Sequence, residues 1–165
     1  MGLSKSAWFL TIVIFMVSHG IAFAHKNHVH QTQVQSENQI VIKRINAGYL
    51  ERVKPIFQKK CFDCHSDQTH YPWYANSPLV KGMIQADIQE ARKHLDFSHD
   101  FPFQGHGAPK EDLEEVLESV TTGDMPPLKY RLLHWRSKVT QEEIQVIRDW
   151  VTDGKKLLGE ATVTN

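Results

Sequence analysis

Five consecutive residues, Cys61-Phe62-Asp63-Cys64-His65, bring together side chains that bind metals and carry redox chemistry. The chain has 2 cysteines, and both lie in this segment. Four chemistries use such a pair: a disulfide, half of a zinc site, a thiol redox centre, and the covalent attachment of haem. The rest of the sequence helps to distinguish between them.

Three of these chemistries find little support. A disulfide between Cys61 and Cys64 would close a very short loop, and disulfide stabilisation grows with loop length. A tetrahedral zinc site needs four nitrogen or sulfur ligands, and the chain has no second pair of cysteines. A thioredoxin-type dithiol is expected beside a βαβ pattern, which this sequence lacks. Zinc and dithiol chemistry stay as the alternatives to haem.

The spacing of the segment favours haem attachment. Two thiols at this separation can add across the two vinyl groups of a porphyrin, and the histidine that follows can bind the iron, which makes CxxCH the signature of c-type haem. Cys61 and Cys64 would form thioethers, and His65 would be the proximal iron ligand through Nε2, with Nδ1–H held by a carbonyl. The predicted cofactor is therefore one covalent haem c with its iron.

A second axial ligand is expected from the segment TTGDMPPLKY, residues 121–130. Met125 lies between two predicted helices on a short stretch that Pro126 and Pro127 stiffen, so we predict that it is the distal ligand. The alternative role of Met125 is to fill the core, which is the usual role of methionine. His134 is the alternative distal ligand, because it is the histidine nearest to this segment.

The first 24 residues have the features of a secretory signal peptide: Lys5, an apolar stretch from Ala7 to Val17, and the cleavage site Ala22-Phe23-Ala24. We therefore expect export, to the periplasm or beyond, where c-type cytochromes mature. An uncleaved N-terminal membrane anchor is the alternative, and contact with the membrane is expected in that case only. Residues 25–49 begin with a polar, aperiodic stretch and are predicted to form a flexible leader.

Apolar periodicity from residue 50 predicts an all-α domain over residues 50–154. About four helices are expected: one running from Leu50 into Cys61, one starting at Ser77-Pro78, one from Pro109 to Gly123, and one from the capping box Thr140/Glu143 to Gly154. Residues 155–165 are predicted to be a C-terminal tail. The domain would be small and cytochrome c-like, with long loops wrapped around the covalent haem.

The charge composition gives no sign of a highly charged partner. The chain has 19 basic and 19 acidic residues and no long run of like charges, so nucleic-acid binding is not expected. The partners predicted for an exported haem protein are redox proteins of the cell envelope.

Four segments, CFDCHSDQTHYPWY, DIQEARKHLDFS, GDMPPLKYRLLH and VTQEEIQVIRDW, resemble the haem-binding domain family of small bacterial monohaem c-type cytochrome-like proteins. The resemblance runs from about residue 50 to residue 150. It implies that Cys61, Cys64 and His65 bind haem, that the Met125-Pro126-Pro127 block lies on the distal side, and that Tyr71, Pro72, Trp73 and Tyr74 line the haem. The chain departs from the family at Ala91, where glycine is usual, and at Asp96, where asparagine is usual.

The function expected from these features is one-electron transfer through a single haem with His/Met ligation. The alternatives are a haem enzyme, or a gas or redox sensor, with a displaceable distal ligand, and a haem-containing interaction module of an envelope complex. No pattern resembles a hydrolase or transferase site, since the carboxylates are scattered over predicted helix faces. An electron carrier is therefore favoured over a catalyst.

Overall fold

The computed structural model describes residues 35–105 and 107–163. Contacts divide the chain into two units, Met1–Gln39 and Ile40–Asn165. Of the first unit, residues 35–39 are described, and they are helical. The predicted signal peptide and the first ten residues of the predicted leader lie outside the described residues.

The described residues are mostly helical, which confirms the predicted all-α class. Residues 35–48 form α1, and a π-helical turn, Tyr49–Val53, leads from it into α2. The later elements are α2 (Lys54–Lys60), α3 (Phe62–His65), α4 (Pro78–His94), β1 (Leu95–Asp96), β2 (Gln104–Gly105), α5 (Pro109–Thr122), α6 (Leu128–Leu133) and α7 (Gln141–Val163), with 3-10 turns at Trp73–Asn76 and Trp135–Ser137. Within the described part of the chain, no helix is long and apolar enough to cross a membrane.

The prediction of a flexible leader up to residue 49 is wrong for residues 35–49, which are helical. Ile45 and Tyr49 are 2% and 0% exposed, and the indole N–H of Trp150 donates a hydrogen bond to the carbonyl of Ile45 over 3.1 Å. Apolar side chains recur at positions 41, 42, 45 and 49, which is a helical spacing, but the polar residues before them hide the pattern. The domain therefore includes residues that the sequence analysis assigned to the leader.

The predicted tail is also wrong, because α7 continues through Gly154 to Val163. Gly154 is a point of close packing between helices. A Cβ atom there would lie 2.8 Å from Leu113 Cδ1 and 3.4 Å from Ile45 Cγ2. The glycine thus permits a close approach of α5 and α1 to α7, and it does not end the helix.

Local signals define the other helix ends as predicted. Pro78 and Pro109 lie in the first turns of α4 and α5, and Gly123 follows α5 in the left-handed region with φ of 80°. The capping box before α7 forms: Thr140 N–H donates to Glu143 Oε2 over 2.8 Å, and Glu143 N–H donates to Thr140 Oγ1 over 3.2 Å.

A cluster of buried aromatic rings forms the centre of the core: Tyr49, Phe57, Phe97, Phe101, Phe103 and Trp150. Three of them come from the loop between β1 and β2, whose ends pair in antiparallel register, Leu95 opposite Gly105. Gly105 has φ of 138°, and a Cβ there would lie 2.2 Å from the His94 carbonyl oxygen. This close pairing fixes the position of Leu95 and Phe97, which approach His65.

Candidate functional site

The CxxCH segment forms the junction between α2 and α3. The backbone N–H groups of Cys64 and His65 both donate to the carbonyl of Cys61, over 3.1 and 3.0 Å, so the segment closes one helical turn. Phe62 is buried in the core, whereas Cys61, Cys64 and His65 line a cavity. The turn thereby directs the three predicted haem-binding residues to one side.

That cavity has a volume of about 260 Å³. The Met125-Pro126-Pro127 block forms another part of its lining, although Met125 lies far from His65 in the sequence. Much of the remaining wall is apolar, with Phe57, Leu95, Phe97, Val116 and Val120 among the lining residues. The fold thus brings the two halves of the predicted ligand set to one apolar cavity.

His65 is held by the chain segment that begins at Leu95. Its Nδ1 lies 2.8 Å from the Leu95 carbonyl oxygen, and because a carbonyl only accepts, Nδ1 carries the proton and Nε2 keeps its lone pair. In return, Phe97 N–H donates to the backbone carbonyl of His65 over 2.6 Å. The Phe97 ring also stacks on the imidazole, with 5.2 Å between the ring centroids. Burial lowers the pKa of His65, so the neutral form that can bind a metal is favoured.

Charged and polar side chains stabilise the segment that carries the Leu95 carbonyl. Arg92 Nε donates to Asp96 Oδ2 over 2.9 Å, and Ser98 N–H donates to Asp96 Oδ1 over 2.9 Å. At Asp96 the sequence departs from the family that it resembles, in which asparagine is usual. The Asp96 carboxylate forms an ion pair with Arg92, with 2.8 Å between Oδ2 and Nη2. The departure therefore adds a charge-assisted contact next to the partner of His65.

Cys61 and Cys64 do not form a disulfide, and their surroundings favour the protonated thiol. Burial, with the neighbouring Cys64, raises the pKa of Cys61 to about 12, and burial also raises the pKa of Cys64. A dithiol redox centre typically has a lowered thiol pKa, so this environment does not resemble one. Among residues 35–105 and 107–159, no group of three or more His, Cys, Asp or Glu side chains is placed to hold a metal ion.

Lys60, directly before Cys61, anchors the CxxCH segment to the chain that precedes α7. Its Nζ donates to the carbonyl oxygens of Arg136 and Lys138, over 2.6 and 3.0 Å, and lies 3.7 Å from Glu143 Oε2. Lys60 is one of the site residues that the sequence analysis missed, together with Leu95 and Phe97. Their roles depend on contacts between distant parts of the sequence, which no local motif reveals.

His134, the alternative distal ligand, is not among the residues that line the cavity. Both of its ring nitrogens have partners. Its Nδ1 donates to the Tyr130 carbonyl over 3.0 Å, and its Nε2 accepts from the Tyr74 hydroxyl over 3.4 Å. The structure therefore brings Met125, and not His134, to the cavity that His65 lines.

The four residues expected from the family resemblance to line the haem, Tyr71, Pro72, Trp73 and Tyr74, do not line the cavity. Trp73 is 84% exposed and Tyr71 is 48% exposed. In the 3-10 turn Trp73–Asn76, the buried side chain is the small Ala75, and Pro72 precedes the turn in an extended conformation. These four residues do not line this cavity because the turn buries Ala75 and leaves the larger rings outside the cavity wall. That they line the haem stays a prediction.

Comparison with known proteins gives a family and one similar protein. The model of a family described as a haem-binding domain matches residues 14–153. The cytochrome c peroxidase Ccp of Escherichia coli (strain K12) is 28% identical over 123 residues, which cover 73% of this chain and 24% of that protein. The chain therefore spans about a quarter of the length of that relative. No solved structure gives a significant match.

The residues of the cavity fit a haem. An imidazole with a free Nε2 lone pair and a thioether sulfur line one apolar cavity, and these are the side chains that bind haem iron in His/Met proteins. Two protonated thiols line the same cavity.

Proposed function

We propose that this chain, which belongs to the haem-binding domain family, attaches one haem through Cys61 and Cys64 and passes single electrons through it. Haem binding is the property that family membership establishes. Covalent attachment, His/Met ligation and electron transfer are the proposals.

One observation carries the proposal: Cys61, Cys64, His65 and Met125 line the same cavity of about 260 Å³. A methionine that filled the core would be buried among apolar side chains, whereas Met125 is 41% exposed. The distal role of Met125 explains why this partly exposed thioether lies on the same cavity as a neutral histidine.

Each side chain of the site has a defined part in the proposal. When bound, the haem supplies one-electron redox chemistry. Cys61 and Cys64 would hold the haem covalently: each S–H would add across one vinyl group, the hydrogen and the sulfur going to its two carbons, so no oxidant would be needed. His65 presents Nε2 because the Leu95 carbonyl holds the proton of Nδ1 in place. Phe57, Phe97 and Val116 contribute apolar wall that excludes water.

Covalent attachment is tested by the pyridine haemochrome spectrum of the protein made in cells that assemble c-type cytochromes. We expect a c-type spectrum, one haem per chain, and colour that acidified organic solvent does not extract. Cys61→Ala with Cys64→Ala should abolish this covalent colour. A wild-type protein that is colourless, or that has extractable haem, would overturn the proposal.

A haem enzyme or gas sensor with a displaceable distal ligand is the second candidate. The partial exposure of Met125 and the similarity to a cytochrome c peroxidase favour it. Binding of carbon monoxide to the ferrous protein separates the candidates. Slow or absent binding supports electron transfer through two stable axial ligands, and rapid, tight binding supports the enzyme or sensor.

Export to the periplasm and transfer of electrons to redox proteins of the cell envelope complete the proposal. The signal-like first 24 residues support export, and the balanced charge predicts that partner binding depends little on salt. Mass spectrometry of the protein from the periplasmic fraction should find a chain that begins at His25. An intact N-terminus in the membrane fraction would instead support the uncleaved anchor.

A further inference from the structure

Asp63, the residue between the two thiols that is not buried in the core, has a fixed side chain at the cavity. Its side-chain Oδ1 accepts a hydrogen bond from the backbone N–H of His70 over 3.0 Å. Thr69 Oγ1 donates to the backbone carbonyl of Asp63 over 2.9 Å. Asp63 also lines the cavity. The loop that follows α3 thus holds this carboxylate from one side.

The other carboxylate oxygen of Asp63 binds Tyr130, 67 positions further along the chain. The Tyr130 hydroxyl donates to Asp63 Oδ2 over 2.7 Å. Burial, and the hydrogen bond to Asp63, raise the pKa of Tyr130, so the hydroxyl stays protonated at neutral pH. At 2.7 Å, this is a short hydrogen bond from a hydroxyl to a carboxyl oxygen, and such contacts are among the stronger ones in proteins.

Tyr130 is itself held rigidly. Its ring stacks on His134, with 4.0 Å between ring centroids and 14° between planes, and His134 is fixed by its hydrogen bonds to Tyr130 and Tyr74. Loss of the hydroxyl alone therefore leaves most of the packing of the ring unchanged.

A short and stiff stretch of chain connects Tyr130 to Met125. Pro126 and Pro127 follow Met125, and the N–H groups of Tyr130 and Arg131 both donate to the Pro127 carbonyl, over 3.0 and 3.1 Å. At its other end, Met125 N–H donates to the Ser119 carbonyl over 3.2 Å. A contact made by Tyr130 is thus transmitted to Met125 through few rotatable bonds.

A second contact of α6, the ion pair between Lys129 and Asp87 at 2.7 Å, is much weaker. The two side chains are 65% and 47% exposed, and exposed ion pairs contribute little because solvent and salt screen them. This pair joins α6 to α4 and does not involve the CxxCH segment. It provides a matched control on the same helix.

We propose that the hydrogen bond from Tyr130 to Asp63 is the positioning contact that holds the Met125 segment at the cavity lined by His65, an inference that rests on the proposed distal role of Met125. Tyr130 and Asp63 are positioning residues, and neither binds the iron. Asp63 thereby couples the segment that carries the thiols to the segment that carries the distal sulfur.

The test compares wild-type, Tyr130→Phe and Lys129→Gln holoproteins. In Tyr130→Phe we expect a weaker sulfur-to-iron charge-transfer band in the ferric protein and carbon monoxide binding to the ferrous protein that is faster by about tenfold, the ratio expected from a lost hydrogen bond to a charged group. Lys129→Gln should behave as wild type. Covalent haem content and the thermal melting curve show that each variant folds.

Amide hydrogen exchange gives a readout that does not depend on the axial ligand. The N–H groups of Tyr130 and Arg131 should exchange about tenfold faster in Tyr130→Phe than in Lys129→Gln. Asp63→Ala should give the same change, and the double variant with Tyr130→Phe should add little to either single one, because both remove the same hydrogen bond.

The outcomes distinguish the two proposals. If wild type shows the charge-transfer band and Tyr130→Phe keeps the band, the carbon monoxide rate and the exchange rates, the positioning role is overturned and Met125 ligation stands. If wild type lacks the band and binds carbon monoxide rapidly, Met125 ligation is overturned. In that case the exchange rates still test the hydrogen bond from Tyr130 to Asp63. Faster amide exchange in Tyr130→Phe than in Lys129→Gln supports its role in holding the segment, and unchanged exchange overturns that role.

Discussion

His65 shows how strongly the neighbours of one side chain determine what it can do. The sequence predicts a carbonyl partner for Nδ1, and the structure identifies it as Leu95, 30 positions later in the chain. The hydrogen bond sets the tautomer, and burial keeps the imidazole neutral. The fold itself thus gives His65 the tautomer and the neutral form that a metal-binding histidine needs.

Met125→Ala tests the distal ligand at the scale of one residue. The variant should lose the sulfur-to-iron charge-transfer band, lower the reduction potential and bind carbon monoxide quickly, because the thioether that favours ferrous iron is gone. Met83→Ala is the matched control, since Met83 is an exposed methionine on α4 and does not line the cavity. Persistence of the band in Met125→Ala would exclude Met125 as the ligand.

The environment of Cys61 predicts that its thiol reacts slowly with alkylating reagents in the haem-free protein. With its pKa at about 12, the thiolate fraction of Cys61 at pH 8 is about 10³-fold below that of an ordinary thiol. Cys64→Ser removes one cause of the raised pKa but keeps the burial, which is the largest cause, so alkylation of Cys61 by iodoacetamide should still be much slower in the folded protein than in urea. Circular dichroism establishes that the haem-free chain is folded, and equal rates in both states would contradict the prediction.

The short β1–β2 pairing positions the partner of His65, and Gly105 makes it possible. Gly105→Ala would place a Cβ in contact with the His94 carbonyl at a backbone φ of 138°, which L-residues rarely adopt. We expect a loss of about 2 kcal/mol or more in the free energy of unfolding, measured in urea. Gly82→Ala is the control, because no atom lies within 4 Å of the added Cβ on α4; it should stabilise the protein by about 0.5–1 kcal/mol.

Two glycines of α7 should respond in opposite ways to the same substitution. Gly154→Ala forces a methyl group against Leu113 and Ile45, an overpacking cost that exceeds the gain in helix propensity, so we expect a net loss of about 1 kcal/mol. Gly159→Ala meets no atom within 4 Å and should gain about 0.5–1 kcal/mol. Urea unfolding of both variants measures the difference, and a stabilised Gly154→Ala would show that the helices can separate at no cost.

Helices that are defined by local signals could be predicted, and those defined by tertiary contacts could not. Proline in the first turn and the Thr140/Glu143 capping box correctly located the starts of α4, α5 and α7. Helix α6 was not predicted, because its residues are all at least partly exposed and its position depends on contacts made by Tyr130. The prediction that α7 ends at Gly154 was wrong, since the sequence does not show that a neighbouring helix requires a small residue there.

The residues of the site likewise fall into two groups: those that the sequence predicts and those whose role depends on tertiary contacts. Cys61, Cys64, His65 and Met125 were predicted from residue type and spacing, and all four line the cavity. Leu95 and Tyr130 were not, because a backbone carbonyl or a hydroxyl contributes only through a contact that the fold creates. Residues 35–49 were predicted as part of a flexible leader because their composition is largely polar. A few apolar side chains among them decide the packing.

The domain depends on residues before position 50, a consequence of where the core lies. Ile45 and Tyr49 are buried against Trp150, which belongs to the last helix. A chain that begins at residue 50 should lose at least about 5 kcal/mol in the free energy of unfolding, which is comparable to the total stability of many domains. It should therefore yield little folded haem protein.

A chain that begins at residue 35 keeps α1 and is the control for that truncation. It should match the full chain in melting temperature and in haem per chain. A stable, coloured protein that begins at residue 50 would show that the core tolerates the loss of Ile45 and Tyr49.

The paired hydrogen bonds between residue 65 and the Leu95–Phe97 segment have a consequence for the speed of the proposed electron transfer. An imidazole whose ring N–H and backbone carbonyl are both engaged by one segment cannot readily rotate when the charge at the metal changes. In the proposed haem protein, few atoms would need to rearrange between the oxidised and reduced states, which would keep the reorganisation energy low. The β1–β2 pairing, which we expect Gly105→Ala to destabilise, would thus also help the proposed electron transfer to be fast.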